Sequence, residues 1–396
     1  MLSRFQRRYA YGNMKKTQAQ TLNTGSRPER NDRPWNNDTT AWWWGRAWRA
    51  YDRFDEAGVL IHQYGPHIFH TNDKRVFDYL SRFTAWRNYQ HKVVANIPKG
   101  EGRTLLPVPF NLVSLEVAFG RRRARALEEK LIAAYGAENK VTILELRQSP
   151  DPELSALADY VYDHVFVHYT MKQWGQTPEE IDPNTTARVP VFLSRDCRYF
   201  QDEYQGLPLG GYTPMFEKLL DHPDVTVALD TDAGRRLTLG EDGITRLDGA
   251  AFAGTVIYTG AADELFGCRF GRLPYRTLEF QCETHPVDAY QTHGTVNYTM
   301  DEAFTRITEF KHLTGQVLPK TTTIMKEYAR AYTGRPGEIP YYAIINDANN
   351  ALYARYRSAA ERYPNLRLLG RLAEYKYYNM DAIAKRALAL CDDLLK

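Results

Sequence analysis

Residues 64–73 read YGPHIFHTND: His67 and His70 stand three apart behind a Gly-Pro turn, with His62 just upstream. Imidazoles placed this closely have three uses. A metal site needs three or four converging donors on a scaffold that aims them, and the chain has only ten histidines and no cysteine pair near these three. Core histidines with satisfied ring nitrogens are the second use. The third is a turn that presses an imidazole and backbone groups against a bound cofactor. The residue types alone leave all three open.

A second set of residues suits anion chemistry. HYTMKQWGQTP (168–178) holds Tyr169 and Trp174, with Thr170 and Lys172 between them. Arg188 sits in TARVPV (186–191), just before a proline, and Tyr199 in RYFQDEYQGLP (198–208). Arg306 lies in the strand-like Phe304–Glu309, Tyr341 and Tyr342 in EIPYY (338–342), and Arg371, Tyr375, Tyr377 and Tyr378 in GRLAEYKYYNMD (370–381). Each has an ordinary alternative: the rings as core, Arg306 as a salt bridge to Glu309 or another acid. Taken as one set they fit a pyrophosphate better. A guanidinium offers a planar fork of donors to phosphate oxygens, tyrosine hydroxyls bond the remaining oxygens, and an aromatic ring stacks on a uracil. That makes a nucleotide-sugar a more natural ligand than a simple sugar.

The elements that must position these residues begin at Tyr51. AGVLIHQYG is a strand and turn, DKRVFDYLSRF (73–83) has helical spacing, and HKVVANI (91–97) with RTLLPVPF (103–110) reads as a hairpin. Residues 112–180 are helix-rich, with RARALEEKLIAAYG ending on a glycine stop. TVIYTG (255–260) is a buried strand. YRTLEFQCETH, GTVNYTM, FTRITEFKHL and TTIMKEYARA form a run of strands within 272–331. LRLLGRL (366–372) is a strand running into the helix YNMDAIAKRALALCDDLLK, which Asn379 or Asp381 can cap. A strand turning into a helix start offers N–H groups to an anion. Residues 1–50 show neither helical nor strand period, although they hold five of the seven tryptophans; no folded element is expected there.

Composition narrows the function classes. With 396 residues the chain can hold two or three domains. A net charge of +3 gives no nucleic-acid footprint; the basic run GRRRARALEEK (120–130) is interleaved with glutamates as a solvated helix face is. Four cysteines without CxxC spacing suit a reducing cytoplasm. No apolar run of membrane-spanning length is present.

The stretches YDRFDEAGVLIHQYGPHIFHTND, HYTMKQWG, RYFQDEYQGLP, GYTPMF, YTGAADELFG, GRLPYRTLEF, VNYTMDEAFTRITEFKH, IPYY and GRLAEYKYYNMD resemble, in order from about residue 51 to the end, the bacterial UDP-galactopyranose mutases. The resemblance implies an α/β fold: a discontinuous Rossmann-like FAD-binding domain (51–85, 206–262 and 343–396), an inserted helical bundle (108–180) and a twisted antiparallel sheet domain (86–107, 181–205 and 263–342). It implies a cytoplasmic homodimer that interconverts UDP-galactopyranose and UDP-galactofuranose for cell-wall galactofuranose, with reduced FAD attacking the anomeric carbon through N5 and no metal. His67 and His70 would lie beside the flavin. Arg188 and Arg306 would close on the diphosphate, and Tyr199, Tyr342 and Tyr377 would bond its oxygens. Tyr169, Thr170 and Trp174 would hold the uridine, and Asn297 would reach the sugar. Arg371, Met380 and Asp381 would face the flavin and its pyrophosphate.

One departure stands out. The family opens with a strand, a GxGxxG turn and a helix, and later a Gly-Gly-Asn. Residues 1–49 contain no GxGxxG, and RAWR stands where Gly-Gly-Asn belongs. Glycine-rich coding sequence read out of frame yields Trp, Arg and Gly, as in WWWGRAWR, so a reading-frame error is one expectation and a degenerate natural start the other. The first strand of the sheet is then expected to be missing and FAD binding weak, which leaves an inactive UDP-sugar-binding relic as the alternative function. A flavin amine oxidase on the same fold fits less well, because two arginines suit a diphosphate better than an amine. Ala261 and Ala343, at positions where the family often has proline, and Asn379 are minor departures.

Overall fold

The computed structural model describes residues 9–12, 41–44, 50–175, 190–228 and 231–396. By contact the chain forms two compact units: Met1–Arg49 with Glu217–Leu273 and Ala348–Lys396, and Ala50–Phe216 with Pro274–Asp347. Residues 51–85, grouped with the dinucleotide domain in the sequence reading, lie in the second unit.

The first unit is built on a four-stranded sheet in the order Tyr9–Gly12, Ala41–Trp44, Val256–Tyr258, Leu366–Leu368, all parallel. This corrects the expectation that residues 1–50 form no element and that the sheet lacks its first strand. A strand inside a parallel sheet is covered on both faces, so its sequence is a continuous apolar or aromatic run without alternation. Ala-Trp-Trp-Trp shows no alternation, and a search for period two passes over it. Val256–Tyr258 is buried at every position. The turn after Leu366–Leu368 passes through Gly370 (φ 112°), and the 15-residue helix Met380–Leu394 follows, burying Leu388 and Cys391. Asn379 holds the N-cap position, but its side chain makes no capping hydrogen bond.

The second unit carries a seven-stranded sheet. Its order is Tyr342–Ala343, Tyr275–His285, Thr322–Ala331, Arg306–Glu309, Thr295–Tyr298, Val93–Lys99, Gly102–Val108. The sequence reading expects an antiparallel sheet. Thr295–Tyr298 instead pairs in parallel with Val93–Lys99, because these two strands are joined by a long excursion rather than a hairpin, and only tight turns impose antiparallel pairing. FTRITEFKHL, read as one strand, is split into the strand Arg306–Glu309 and the helical turn Phe310–Thr314, which stops at the left-handed Gly315 (φ 73°).

Between these strands the chain runs through the helices Leu112–Phe119, Arg121–Tyr135, Ile143–Arg147, Pro152–Val161 and Val167–Trp174, with a π-helical turn at Tyr162–Phe166. Ile97, Leu106, Phe110, Leu131, Leu146 and Val161 belong to one buried core that joins these helices to the sheet edge. A smaller sheet of Phe69–Thr71, Tyr204–Pro208 and Trp86–Asn88 sets His70 opposite Gln205. Among the described residues no helix is long and apolar enough to cross a membrane.

Candidate functional site

Three neighbouring strands of the large sheet place Asn297, Arg306 and Glu327 directly opposite one another. Opposed residues of adjacent antiparallel strands project from the same face, so an amide, a guanidinium and a carboxylate form one row. Arg306 donates from Nη2 to the Tyr169 hydroxyl, and its Nε lies 3.7 Å from Glu327 Oε1. The expected acid partner Glu309 is engaged elsewhere: it accepts from the Tyr290 and Gln291 amides and from Thr322. Asn297 Oδ1, Arg306 Nε and Glu327 Oε1 are buried without a hydrogen-bond partner. Buried polar atoms are ordinarily paired, and these three stand in one row on one face of the sheet.

Burial works against the Arg306 charge, but Glu327 and the hydroxyls of Tyr169, Tyr342 and Tyr199 hold its proton affinity well above the ordinary value. The Arg306 side chain keeps about a quarter of its surface exposed, and Glu327 only 4%. Burial pushes the Tyr169 hydroxyl up to about 12, so it stays a neutral donor and acceptor. Trp174 and Tyr342 bring their rings to 5.5 Å centroid separation, and Thr170 is buried on the same helix as Tyr169. The structure thus gathers Tyr169, Thr170, Trp174, Tyr199, Asn297, Arg306 and Tyr342 in the second unit. Arg188 lies outside the described residues.

The histidines divide. His62 is buried, its Nδ1 accepts from the His67 amide at 3.0 Å, and burial lowers its pKa to about 4. It is a core histidine that fixes the Gly-Pro turn. His67 turns its Nδ1 onto the Gly65 carbonyl at 2.8 Å. His70 is held from two sides: Nδ1 lies 2.8 Å from Asp202 Oδ2, and the ring stacks on Phe200 at 3.6 Å. Asn72 pins the other Asp202 oxygen at 2.8 Å. Among the described residues no group of three metal-ligating side chains converges.

In the first unit Arg371 donates from Nε to the Tyr378 carbonyl at 2.9 Å, and its guanidinium sits 4.3 Å from the Tyr377 ring centroid. Met380 and Asp381 occupy the first turn of the last helix.

Sequence reading passed over Glu327, Asp202 and His91. Glu327 becomes legible only when FTRITEF and TTIMKEYARA are paired in antiparallel register. His91 is buried against Tyr199 at 5.7 Å and accepts the Tyr199 amide at its carbonyl; burial, with the charges of Arg306 and His70, lowers its pKa to about 3.

A dinucleotide cofactor requires a turn whose backbone N–H groups approach a pyrophosphate without a Cβ in the way. The strand Tyr9–Gly12 ends on one glycine, and the chain continues Asn-Met-Lys-Lys. Residues 13–40 lie outside the described residues, and residues 1–49 contain no GxGxxG.

The fold is therefore an α/β one with a Rossmann-like parallel-sheet unit, and the second unit carries the polar row Asn297–Arg306–Glu327. A family model described as UDP-galactopyranose mutase matches residues 164–377. The UDP-galactopyranose mutase of Mycoplasma pneumoniae is 35% identical over 358 residues, covering 88% of this chain and 87% of that protein. The dTDP-fucopyranose mutase of Escherichia coli is 32% identical, covering 86% of each. A solved reduced UDP-galactopyranose mutase superposes with a TM-score of 0.61 at 14% identity, over 89% of this chain and 88% of that one. The chain belongs to the UDP-galactopyranose mutase family, a family of isomerases.

Proposed function

We propose that the chain binds UDP-galactopyranose and UDP-galactofuranose and interconverts them. The observation that carries this reading is the row Asn297–Arg306–Glu327, whose unpaired polar atoms adjoin Tyr169. Arg306 neutralises the diphosphate and stabilises the charge that builds on departing UDP. Tyr199 and Tyr342 bond its oxygens, Tyr169, Thr170 and Trp174 hold the uridine, and Asn297 reaches the sugar. Glu327 keeps the guanidinium in place without competing for both of its faces. Arg188 and Tyr377 complete the set we assign to the diphosphate.

The flavin belongs to the same proposal. When bound, a reduced FAD supplies the N5 nucleophile that the family's ring contraction uses. His67, His70, Arg371, Met380 and Asp381 are the residues we assign to it. The division into FAD-binding, helical and sheet domains, a homodimer and a cytoplasmic site of action complete the reading.

The lack of a GxGxxG in residues 1–49 favours a second reading, in which the chain binds UDP-sugars but holds no flavin. Two measurements separate the two. Titration of UDP into the purified chain tests the shared nucleotide site: saturable binding that Arg306→Met weakens supports it, and absence of binding overturns both readings. Flavin content and dithionite-dependent turnover then decide between mutase and relic.

A further inference from the structure

The helix Val167–Trp174 carries Tyr169, Thr170 and Trp174, and two cations outside the polar row are directed at it or held by it. Lys172 extends its ammonium to the carbonyls of Tyr298 at 2.5 Å, Glu302 at 3.0 Å and Phe304 at 3.4 Å. These three carbonyls belong to the turn between the strand bearing Asn297 and the strand bearing Arg306. Arg276 donates from Nη2 to the Lys172 carbonyl and from Nε to the Gln173 carbonyl, both at 3.0 Å. Those are orphan carbonyls of the helix's last turn, and a cation there also meets the negative end of the helix dipole. Arg276 pairs in the sheet with Tyr342, and its carbonyl accepts the Tyr341 amide at 2.8 Å.

An arginine and a lysine this close to an anion site would ordinarily be assigned to phosphate. The geometry assigns them otherwise. Arg276 is only 9% exposed, has no carboxylate partner among the described residues, and donates to two helix carbonyls. All three Lys172 bonds go to one turn. A buried cation satisfied by carbonyls of two elements fixes the distance between those elements, because each unmade bond would leave a charged group buried and unpaired. Gly175, which ends the helix at φ 66°, completes the seat: a Cβ there would lie 2.5 Å from Arg276 Nη1.

We infer that Lys172 and Arg276 are positioning residues that lock the uridine-holding helix to the Asn297–Arg306 hairpin and the Tyr342 strand, and so set the spacing at which a uridine and its diphosphate are recognised together. This rests on the nucleotide reading above. The hydrogen-bonded chain runs from the Tyr342 strand, through Arg276 and the end of the helix, to Lys172 and the turn beside Arg306. Loss of a link leaves both half-sites intact but lets their separation vary.

The test compares UDP with uridine, measured by titration calorimetry on the full chain. Wild type binds UDP more tightly than uridine, and Arg306→Met reduces that preference by removing a phosphate contact; failure of this control strikes the nucleotide reading itself. Lys172→Met is expected to lower UDP affinity about tenfold, as loss of charged hydrogen bonds does, with uridine affinity nearly unchanged, so the UDP-to-uridine ratio falls although Arg306 is present. Lys172→Arg, which can still donate to several carbonyls, restores part of the ratio. If Lys172→Met does not fold, Arg276→Lys, which keeps the charge but cannot span both carbonyls, is read in the same way. A ratio equal to wild type in a folded variant, with the Arg306→Met control positive, overturns the inference.

Discussion

The Arg306 guanidinium donates from Nη2 to the hydroxyl of Tyr169, 137 residues earlier in the chain. One residue sits on a sheet strand, the other on a helix, and their bond joins the two elements. Tyr169→Phe removes the bond while keeping the ring. It is expected to weaken UDP binding about tenfold or more, consistent with a net charged hydrogen bond of about 1.5–3 kcal/mol, with little effect on uridine. Calorimetric titration of both ligands reads the difference.

Arg306 also compensates Glu327, whose side chain is 4% exposed. Arg306→Met leaves that carboxylate buried and uncompensated and is expected to destabilise the fold by about 3–5 kcal/mol. Adding Glu327→Gln removes the stranded charge, so the double variant should be more stable than Arg306→Met alone. Urea unfolding of wild type, both singles and the double variant gives the coupling energy.

The Asp52 carboxylate accepts the amides of Tyr212 at 2.5 Å and Thr213 at 3.0 Å, capping the helix Tyr212–Leu220 from a distant strand. Asp52→Ala is expected to cost about 1–2 kcal/mol, in the range of lost N-caps. Gly211→Ala should also destabilise, since its φ is 103° and its Cβ would lie 2.5 Å from Asp52 Oδ2. Thermal unfolding compares the two.

Stability should fall on mild acidification. His62 and His91 have folded pKa values of about 4 and about 3, below the ordinary 6.5, because burial disfavours their charged forms. The unfolded chain takes up a proton near 6.5 and the folded chain does not. Their contribution is complete above 6.5 and is lost as pH falls towards 4 and 3, by about 1.4 kcal/mol per pH unit for each histidine. Between pH 6 and 5 His293, which burial also lowers, adds to the effect, whereas Glu309, kept at about 2 against burial by His312, Thr322 and two amides, acts below 4.5, and His312, raised chiefly by its hydrogen bond to Glu309, acts above 6.5. Unfolding free energies at pH 7, 6 and 5 should show this slope, and His91→Gln should make it shallower.

Flavin content should respond to the N-terminus alone. On the flavin-free reading the purified chain carries flavin well below one per chain, and replacing residues 1–49 with a strand–GxGxxG–helix segment raises it towards one. UDP affinity should stay the same in both. Visible absorbance and UDP titration on the same preparations provide the check, together with resequencing of the locus across the Trp-rich stretch.

Much of this protein was legible in its sequence because the information was local. Tyr275–His285 has the bounds the strand reading gave it. The helix Arg121–Tyr135 stops at Gly136 (φ 82°), where a side chain would be strained. The motifs carrying Tyr169, Tyr199, Arg306 and Tyr342 name their residues without any fold, and they sufficed to identify the family. What they could not give was register. That Arg306 faces Glu327 and Asn297, and not Glu309 along its own strand, depends on which strands lie side by side. The parallel entry of Val93–Lys99 and the recruitment of Tyr9–Gly12 and Ala41–Trp44 into the first sheet are likewise decided by partners far away in the chain. A strand's neighbours supply half of its hydrogen bonds and the cover on both its faces, so its place is fixed only when those neighbours arrive.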